Sequence, residues 1–214
     1  NGPNIFLANE FFDSLPIKQF IKKNNKWYEK SIKKNNINKF EFVNVITNIK
    51  DLEKKIKINL SKNQKIIEFS QLTYDYLNII SKKINAFRGG LLIVDYGYLK
   101  KKMRNSLQSV YKHNFNNILD NFGKSDITYN LNFFLLKKII KKLNLKVVGL
   151  TSQRNFLTKL GILDRAEILA KNLQFSKKAD IYYRLKRLID RNFMGELFKV
   201  MFVTGKNIKF KLGF

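Results

Sequence analysis

The chain has 214 residues, the size of one domain, and carries 42 Lys and Arg against 16 Asp and Glu, a formal charge of +26. Its 44% hydrophobic content is that of a globular core and excludes a disordered tail. With no Cys and one His, the sequence excludes a disulfide framework, a Cys nucleophile, an iron–sulfur cluster and a zinc site of several Cys and His, so no metal is expected.

In chain order, Pro3–Ala8 is an apolar run ending in Asn9-Glu10 and predicts a buried strand with polar residues at its carboxyl end. A loop, Phe11–Leu15, closes at Pro16. Residues 17–60 predict a strand-rich cap, with alternation in Phe40–Ile46 and again in Lys55–Leu60, where Ile56, Ile58 and Leu60 share a face. Leu72, Tyr76, Ile79, Ile80 and Ile84 form a helical stripe that stops before Gly89-Gly90. Leu91–Val94 predicts a second buried strand, ending in Asp95-Tyr96-Gly97. The polar stretch Arg104–Thr128 holds His113, Gly123 and Asp126. Leu136, Ile139, Ile140 and Leu143 make one face of a helix over Phe133–Leu143, with Lys137, Lys138, Lys141 and Lys142 opposite. A third strand spans Lys146–Leu150, helical stretches lie around Phe156–Leu160, Asp164–Asn172 and Ile181–Ile189, and Leu197–Val203 and Ile208–Leu212 predict a terminal hairpin. Strands alternating with amphipathic helices predict an α/β fold with a largely parallel sheet, whose ligands bind beyond the carboxyl ends of the strands.

A charge of this size points to nucleic acid or an anionic surface. Its make-up argues otherwise. Of the 42 cations 35 are Lys, and Asn (26), Ile (24) and Phe (19) are enriched beside them, as A/T-rich codons would enrich all four. A surface built to read phosphate or guanine would favour Arg, whose planar fork binds bidentately. Neither a dinucleotide-binding GxGxxG, a P-loop nor a GxSxG elbow occurs. No apolar run reaches the length of a membrane span, and no signal peptide opens the chain.

The string Ala8-Asn9-Glu10-Phe11-Phe12-Asp13-Ser14-Leu15-Pro16 resembles the AxEFFDxLP signature of the MidA-like family, class I S-adenosylmethionine-dependent methyltransferases related to the arginine methyltransferase of mitochondrial complex I assembly. Further motifs follow in the family's order. Trp27 and Glu29 match WxE, and Gly89–Gly97 match GGxxLxxDYG. Ser106–Gln108 and His113 resemble TLQ…H, while Gly123, Asp126 and Thr128 match GxxDxT. Gln153–Ile162 match QxxFLxxxGI, and Met194–Val200 match MGxxFKV. Asn132 stands where the family has Asp, and Tyr129-Asn130 where small or His residues are common.

The resemblance implies a partial Rossmann-like sheet. Asn4–Asn9, Leu91–Asp95, Lys146–Leu150 and Leu197–Val203 would be strands four to seven, over residues 1–16 and 61–214, with the cap inserted. Strands one to three and the main S-adenosylmethionine-binding loop are then expected outside these residues, and the fragment alone is expected to be inactive. It also implies catalytic roles for Glu10, Asp13, Asp95, Tyr96, His113 and Asp126. Ala8, Asn9, Glu10 and Phe11 would contact the cofactor, and Phe12, Pro16 and Gln153 would shape the substrate pocket. Carboxylates suit this chemistry because a protonated guanidinium must be gripped and oriented for in-line attack on the sulfonium methyl. The implied partner is a protein, in the family a respiratory complex I subunit; a homo-oligomer is compatible. The implied compartment is bacterial cytoplasm, or the mitochondrial matrix in a eukaryote. Two alternatives stand beside this: a basic nucleic-acid-binding module or RNA methyltransferase, and a non-catalytic assembly factor. If the charge is compositional, RNA binding measured by fluorescence anisotropy will be sequence-indifferent and vanish at physiological salt. Sequence-selective binding that survives such salt would favour the nucleic-acid alternative.

Overall fold

A computed structural model describes residues 2–206 and 212–214. The first third of the chain contains β1 (Asn4–Asn9), β2 (Lys18–Lys23), β3 (Lys26–Lys34), β4 (Phe40–Thr47), α1 (Ile49–Ile56), β5 (Ile66–Phe69) and α2 (Gln71–Phe87). Then follow β6 (Gly89–Tyr98), β7 (Gln108–Tyr111), β8 (Asn114–Asn116), β9 (Asp126–Thr128), β10 (Leu131–Asn132) and α3 (Phe133–Lys142). The chain continues through β11 (Lys146–Ser152), α4 (Gln153–Lys159), α5 (Ile162–Ala170), α6 (Phe175–Ile189), α7 (Met194–Leu197) and β12 (Phe198–Thr204).

The main sheet runs β1-β6-β12-β11, with β10 beside the far end of β6. β6 is its spine. Its first half pairs in parallel with β1 (Asn4↔Gly89 to Asn9↔Val94), and its second half pairs in parallel with β10 (Leu131↔Gly97). Both contacts need glycine: a Cβ on Gly89, which sits at φ +110°, would lie 1.9 Å from the Asn4 carbonyl oxygen, and one on Gly97 would lie 2.2 Å from that of Leu131. β12 lies on the other side of β6 and is antiparallel to both β6 and β11, so the sheet is mixed where a largely parallel one was expected. Burial periodicity carries no strand direction, and the chain returns through four helices before placing β12 between its neighbours. A second, antiparallel sheet, β4-β3-β2-β5, builds the cap and takes β5 from beyond residue 60.

The α3 helix has the expected face: Leu136, Ile139 and Ile140 are buried and the four Lys exposed. Asn132 caps it, its side chain accepting from the Leu135 amide at 2.9 Å, so Asn serves where the family has Asp. Three expectations fail. β1 is not buried: it is the sheet's edge, with Ile5 and Leu7 83% and 70% exposed, and only its other face meets the core through Ala8. The buried side of α2 is Thr73, Leu77, Ser81 and Ile84, while Leu72, Tyr76 and Ile79 are exposed. Lys55–Leu60 is not a strand. α1 runs to Ile56 and ends in left-handed Lys57, yet Ile56, Ile58 and Leu60 are all buried, so the shared face survives without the secondary structure. The second arm of the expected terminal hairpin, Ile208–Leu212, falls almost wholly on residues 207–211, which lie outside the described residues. No helix among the described residues is long and apolar enough to cross a membrane.

Buried Glu53 closes the turn after α1. Its carboxylate accepts the amides of Leu60 and Ser61 at 2.7 Å each and pairs with Lys50 at 2.9 Å. Burial pushes its pKa up, but the amide bonds and the Lys50 ammonium outweigh that and hold it below the usual carboxylate value. Because the folded pKa is depressed, this stabilisation is present above the unfolded pKa and is lost as pH falls through the folded one. Glu53→Ala should cost about 1–3 kcal/mol in urea denaturation at pH 7. The gap to the unmodified chain should close as the pH is taken below the ordinary carboxylate range.

Candidate functional site

Beyond Asn9 the chain leaves the sheet in a tight turn. The Glu10 amide still donates to the Val94 carbonyl at 2.9 Å, and Glu10 itself adopts a left-handed backbone (φ 45°) that breaks the strand. β6 does not stop with β1. It continues through Asp95 and Tyr96 to Tyr98, so Asp95 lies within a strand and not at its end as expected. This overhang brings the two segments together. Asp95 is fully buried, and its Oδ2 accepts the amides of Phe12 at 3.1 Å and Asp13 at 3.3 Å, while Oδ1 accepts that of Tyr96 at 3.0 Å. The Tyr96 hydroxyl donates to Asp13 Oδ2. Asp13 is 4% exposed, and its Oδ1 has no hydrogen-bond partner among the described residues.

Burial and the nearby Asp13 charge drive the Asp95 carboxyl far above the usual range, to about 8, against the pull of its three amides. Burial likewise raises the Tyr96 and Tyr129 phenols, so both stay protonated as donors. Next to the cluster is a partly open cavity of about 350 Å³ between the loop after β1, the cap sheet and β9, with Asp13 and Pro16 in its wall.

The structure thus gathers Asp13, Asp95 and Tyr96. Phe12 is wholly buried beneath them, and Phe11 is half-exposed, edge-on to Phe12 and to Tyr76 at 5.2 Å each. Ala8 is buried, while Asn9 and Glu10 are exposed at the end of β1. Other expected residues are not brought in. His113 (φ 64°) forms the exposed turn between β7 and β8, and a left-handed hairpin position explains it without acid–base work. Asp126 is exposed on β9. Buried Gln153 donates to the Leu188 carbonyl at 3.0 Å, tying α4 to α6. Among the described residues no group of three acidic or His side chains is placed to hold a metal ion.

Sequence reading missed the support behind the cavity. Glu68, buried in β5, accepts Gln19 Nε2 at 2.7 Å, the Ser106 amide at 2.9 Å and the Ser106 hydroxyl at 2.5 Å, joining cap to body. Its only signal was a charge inside the apolar run Ile66–Phe69. Lys199, opposite Asp95 on β12, is also buried; burial lowers its pKa, and its ammonium donates to the Glu196 carbonyl.

Residues 1–151 match the model of a family described as "Putative S-adenosyl-L-methionine-dependent methyltransferase". The mitochondrial protein arginine methyltransferase NDUFAF7 of Danio rerio is 29% identical over 200 residues, covering 92% of this chain and 46% of the relative. Its Caenorhabditis elegans homolog is 27% identical over 216 residues, covering 99% and 50%. This chain therefore spans about half the length of these relatives. A Burkholderia thailandensis structure titled a "likely methyl transferase" and bound to S-adenosyl-homocysteine superposes with a TM-score of 0.79 at 18% identity, covering 99% of this chain and 55% of that one. An uncharacterized protein of the same bacterium gives 0.81 at 19%, covering 99% and 57%. These two likenesses show the fold.

The raised Asp95 pKa fixes a sign. The folded state holds a proton that the unfolded chain releases near pH 4, so stability should fall as pH rises from about 4 to about 8. The slope from one proton is at most about 1.4 kcal/mol per pH unit. Asp95→Asn should flatten it, read from urea midpoints across that range; an unchanged slope would assign the proton elsewhere.

Proposed function

The chain belongs to this family of S-adenosyl-L-methionine-dependent methyltransferases, and from that membership we propose that it forms the substrate-facing part of an enzyme that methylates arginine in a protein. The observation that carries the reading is the Asp95 tie, which holds the Glu10–Asp13 turn and Tyr96 together beyond the carboxyl end of β1. Ligands of open α/β sheets bind at such ends.

Asn9, Glu10 and Phe11, exposed at the end of β1, would hold the cofactor beside buried Ala8; these small, polar and aromatic groups fit a sulfonium and its ribose side. S-adenosylmethionine supplies an electrophilic methyl group. The chain's own residues do the rest. Glu10, exposed and without a side-chain partner among the described residues, grips a guanidinium and turns one nitrogen outward. Phe11 presents a ring face to positive charge, and Tyr96 fixes the Asp13 carboxylate.

The main cofactor loop belongs, in this reading, to strands outside the 214 residues that pair with β1. The exposed Ile5 and Leu7 of that edge, and Leu72, Tyr76 and Ile79 of α2, support it, because unpaired apolar edges are otherwise a liability. In the relatives' setting the substrate would be a complex I subunit, and the compartment bacterial cytoplasm or mitochondrial matrix.

Calorimetry with S-adenosyl-homocysteine tests this. A protein extended upstream through a strand and Gly-rich turn should bind at micromolar concentration, and the 214-residue chain should not. Equal binding by both would overturn the placement of the loop. In the extended protein Glu10→Gln should lower methyl transfer to an arginine peptide at least tenfold while leaving the fold intact.

A further inference from the structure

The hairpin of α5 and α6 is held mainly by other helices: α5 packs on α4 and α6, and α6 packs on α4, α5 and α7. On α6 the residues Ile181, Leu185 and Leu188 recur at helical spacing and are half-buried in that packing, yet none of its 15 residues is fully buried. Its outer face carries Phe175, Ala179, Tyr182 and Lys186, one above the other along the helix.

The turn between α5 and α6 forms a tip. Three large apolar side chains bracket it, Ile168 and Leu169 at the end of α5 and Phe175 at the start of α6, with Ile168 74% and Phe175 87% exposed. Such groups left in water forgo the burial that stabilises them, and three together mark a contact surface. They come with cations and no anion. From Ile168 to Ala179 the chain has Lys171, Lys177 and Lys178 and no carboxylate. The next carboxylate, Asp180, is engaged by Arg184 at 2.9 Å, and among the described residues none of the three lysines has an ion-pair partner.

Apolar side chains ringed by lysines match the boundary of an anionic bilayer, where the apolar groups enter and the ammonium groups stay at the phosphates. Nucleic acid would reward aromatic planes and Arg, whereas the tip has no Arg and two of its three anchors are aliphatic. A stable protein interface uses roughly 20–30 residues a side, more than this tip presents. A second copy would bring a second charge of +26.

We infer that the α5–α6 tip is a membrane-contact site: Ile168, Leu169 and Phe175 enter the headgroup boundary of a bilayer containing anionic phospholipid, and Lys171, Lys177 and Lys178 meet its phosphates. The helices lie on the surface and do not cross it, in keeping with their length and composition. Three shallow anchors and three cations give a reversible contact. This site and the methyltransferase reading are independent, and neither needs the other.

The test is co-sedimentation of the 214-residue chain with vesicles of phosphatidylcholine, alone or with about 30% phosphatidylglycerol, at about 0.15 M salt. The chain should bind the anionic vesicles only. Any basic protein is drawn to them, so two variants of equal net charge separate the tip from the rest: Lys171→Glu with Lys177→Glu, and Lys141→Glu with Lys142→Glu on α3, all at exposed positions. The tip pair should abolish binding and the α3 pair should leave most of it. Phe175→Ser should weaken binding about tenfold, at a side chain too exposed to matter to the fold. Phe175→Trp should show emission that moves to the blue on anionic vesicles, above the background of Trp27. Equal losses from the two lysine pairs, unchanged binding by Phe175→Ser, or an emission that stays put would each overturn the site. Mixed-sequence RNA that binds at the same salt and is released by the tip variants, with no vesicle binding, would assign the tip to nucleic acid instead.

Discussion

Asp95 is the constraint on which the site depends. A carboxyl with no exposed surface is tolerable only if its oxygens are used, and here both are, by amides from two segments more than eighty residues apart. The tie works because β6 outruns β1. Where the shorter strand ends, the longer one still has a side chain to offer the departing backbone, so the turn that carries Glu10 and Asp13 is set from the sheet and not from its own sequence. The glycines at both ends of β6 belong to the same device: they admit β1 and β10 to successive stretches of a single strand, leaving the tie at the junction.

The cap depends on its own buried carboxylates. Glu53 ties off the turn that follows α1, and Glu68 joins the cap's inner strand to the Ser106 loop. Each ends several amide or hydroxyl donors on one charged acceptor, the arrangement in which hydrogen bonds are strongest. Gln19, which Glu68 holds, also lines the cavity between cap and body, and among the described residues the Asp13 oxygen without a partner stands out against these satisfied carboxylates.

The sequence carried some of this plainly. β1, β6, α3 and the cap meander could be read from apolar periodicity, and the string from Ala8 to Pro16 marked the turn that the structure puts at the centre. What failed did so for physical reasons. Lys55–Leu60 alternates as a strand should, but Glu53 captures the following amides and the chain turns instead. Leu72, Tyr76 and Ile79 look like a core stripe because composition cannot say which of two apolar faces is covered. β7, β8 and β9 are short and polar, so they have no periodicity to read, and His113 looked chemical chiefly because it was the single histidine. The Gln19–Glu68–Ser106 link joins residues distant in the chain and had no motif to announce it.

The open edge of β1 has a colloidal side. Two copies of this chain could lay their exposed Ile5 and Leu7 together, and an unpaired strand invites it. Every such encounter brings together two bodies of charge +26. At low ionic strength that repulsion acts over tens of ångströms, whereas at about 0.15 M salt it reaches only about 8 Å. In a solution of these 214 residues alone, without the strands proposed to pair with β1, the lysine excess therefore keeps two such edges apart, and salt decides how long it does so.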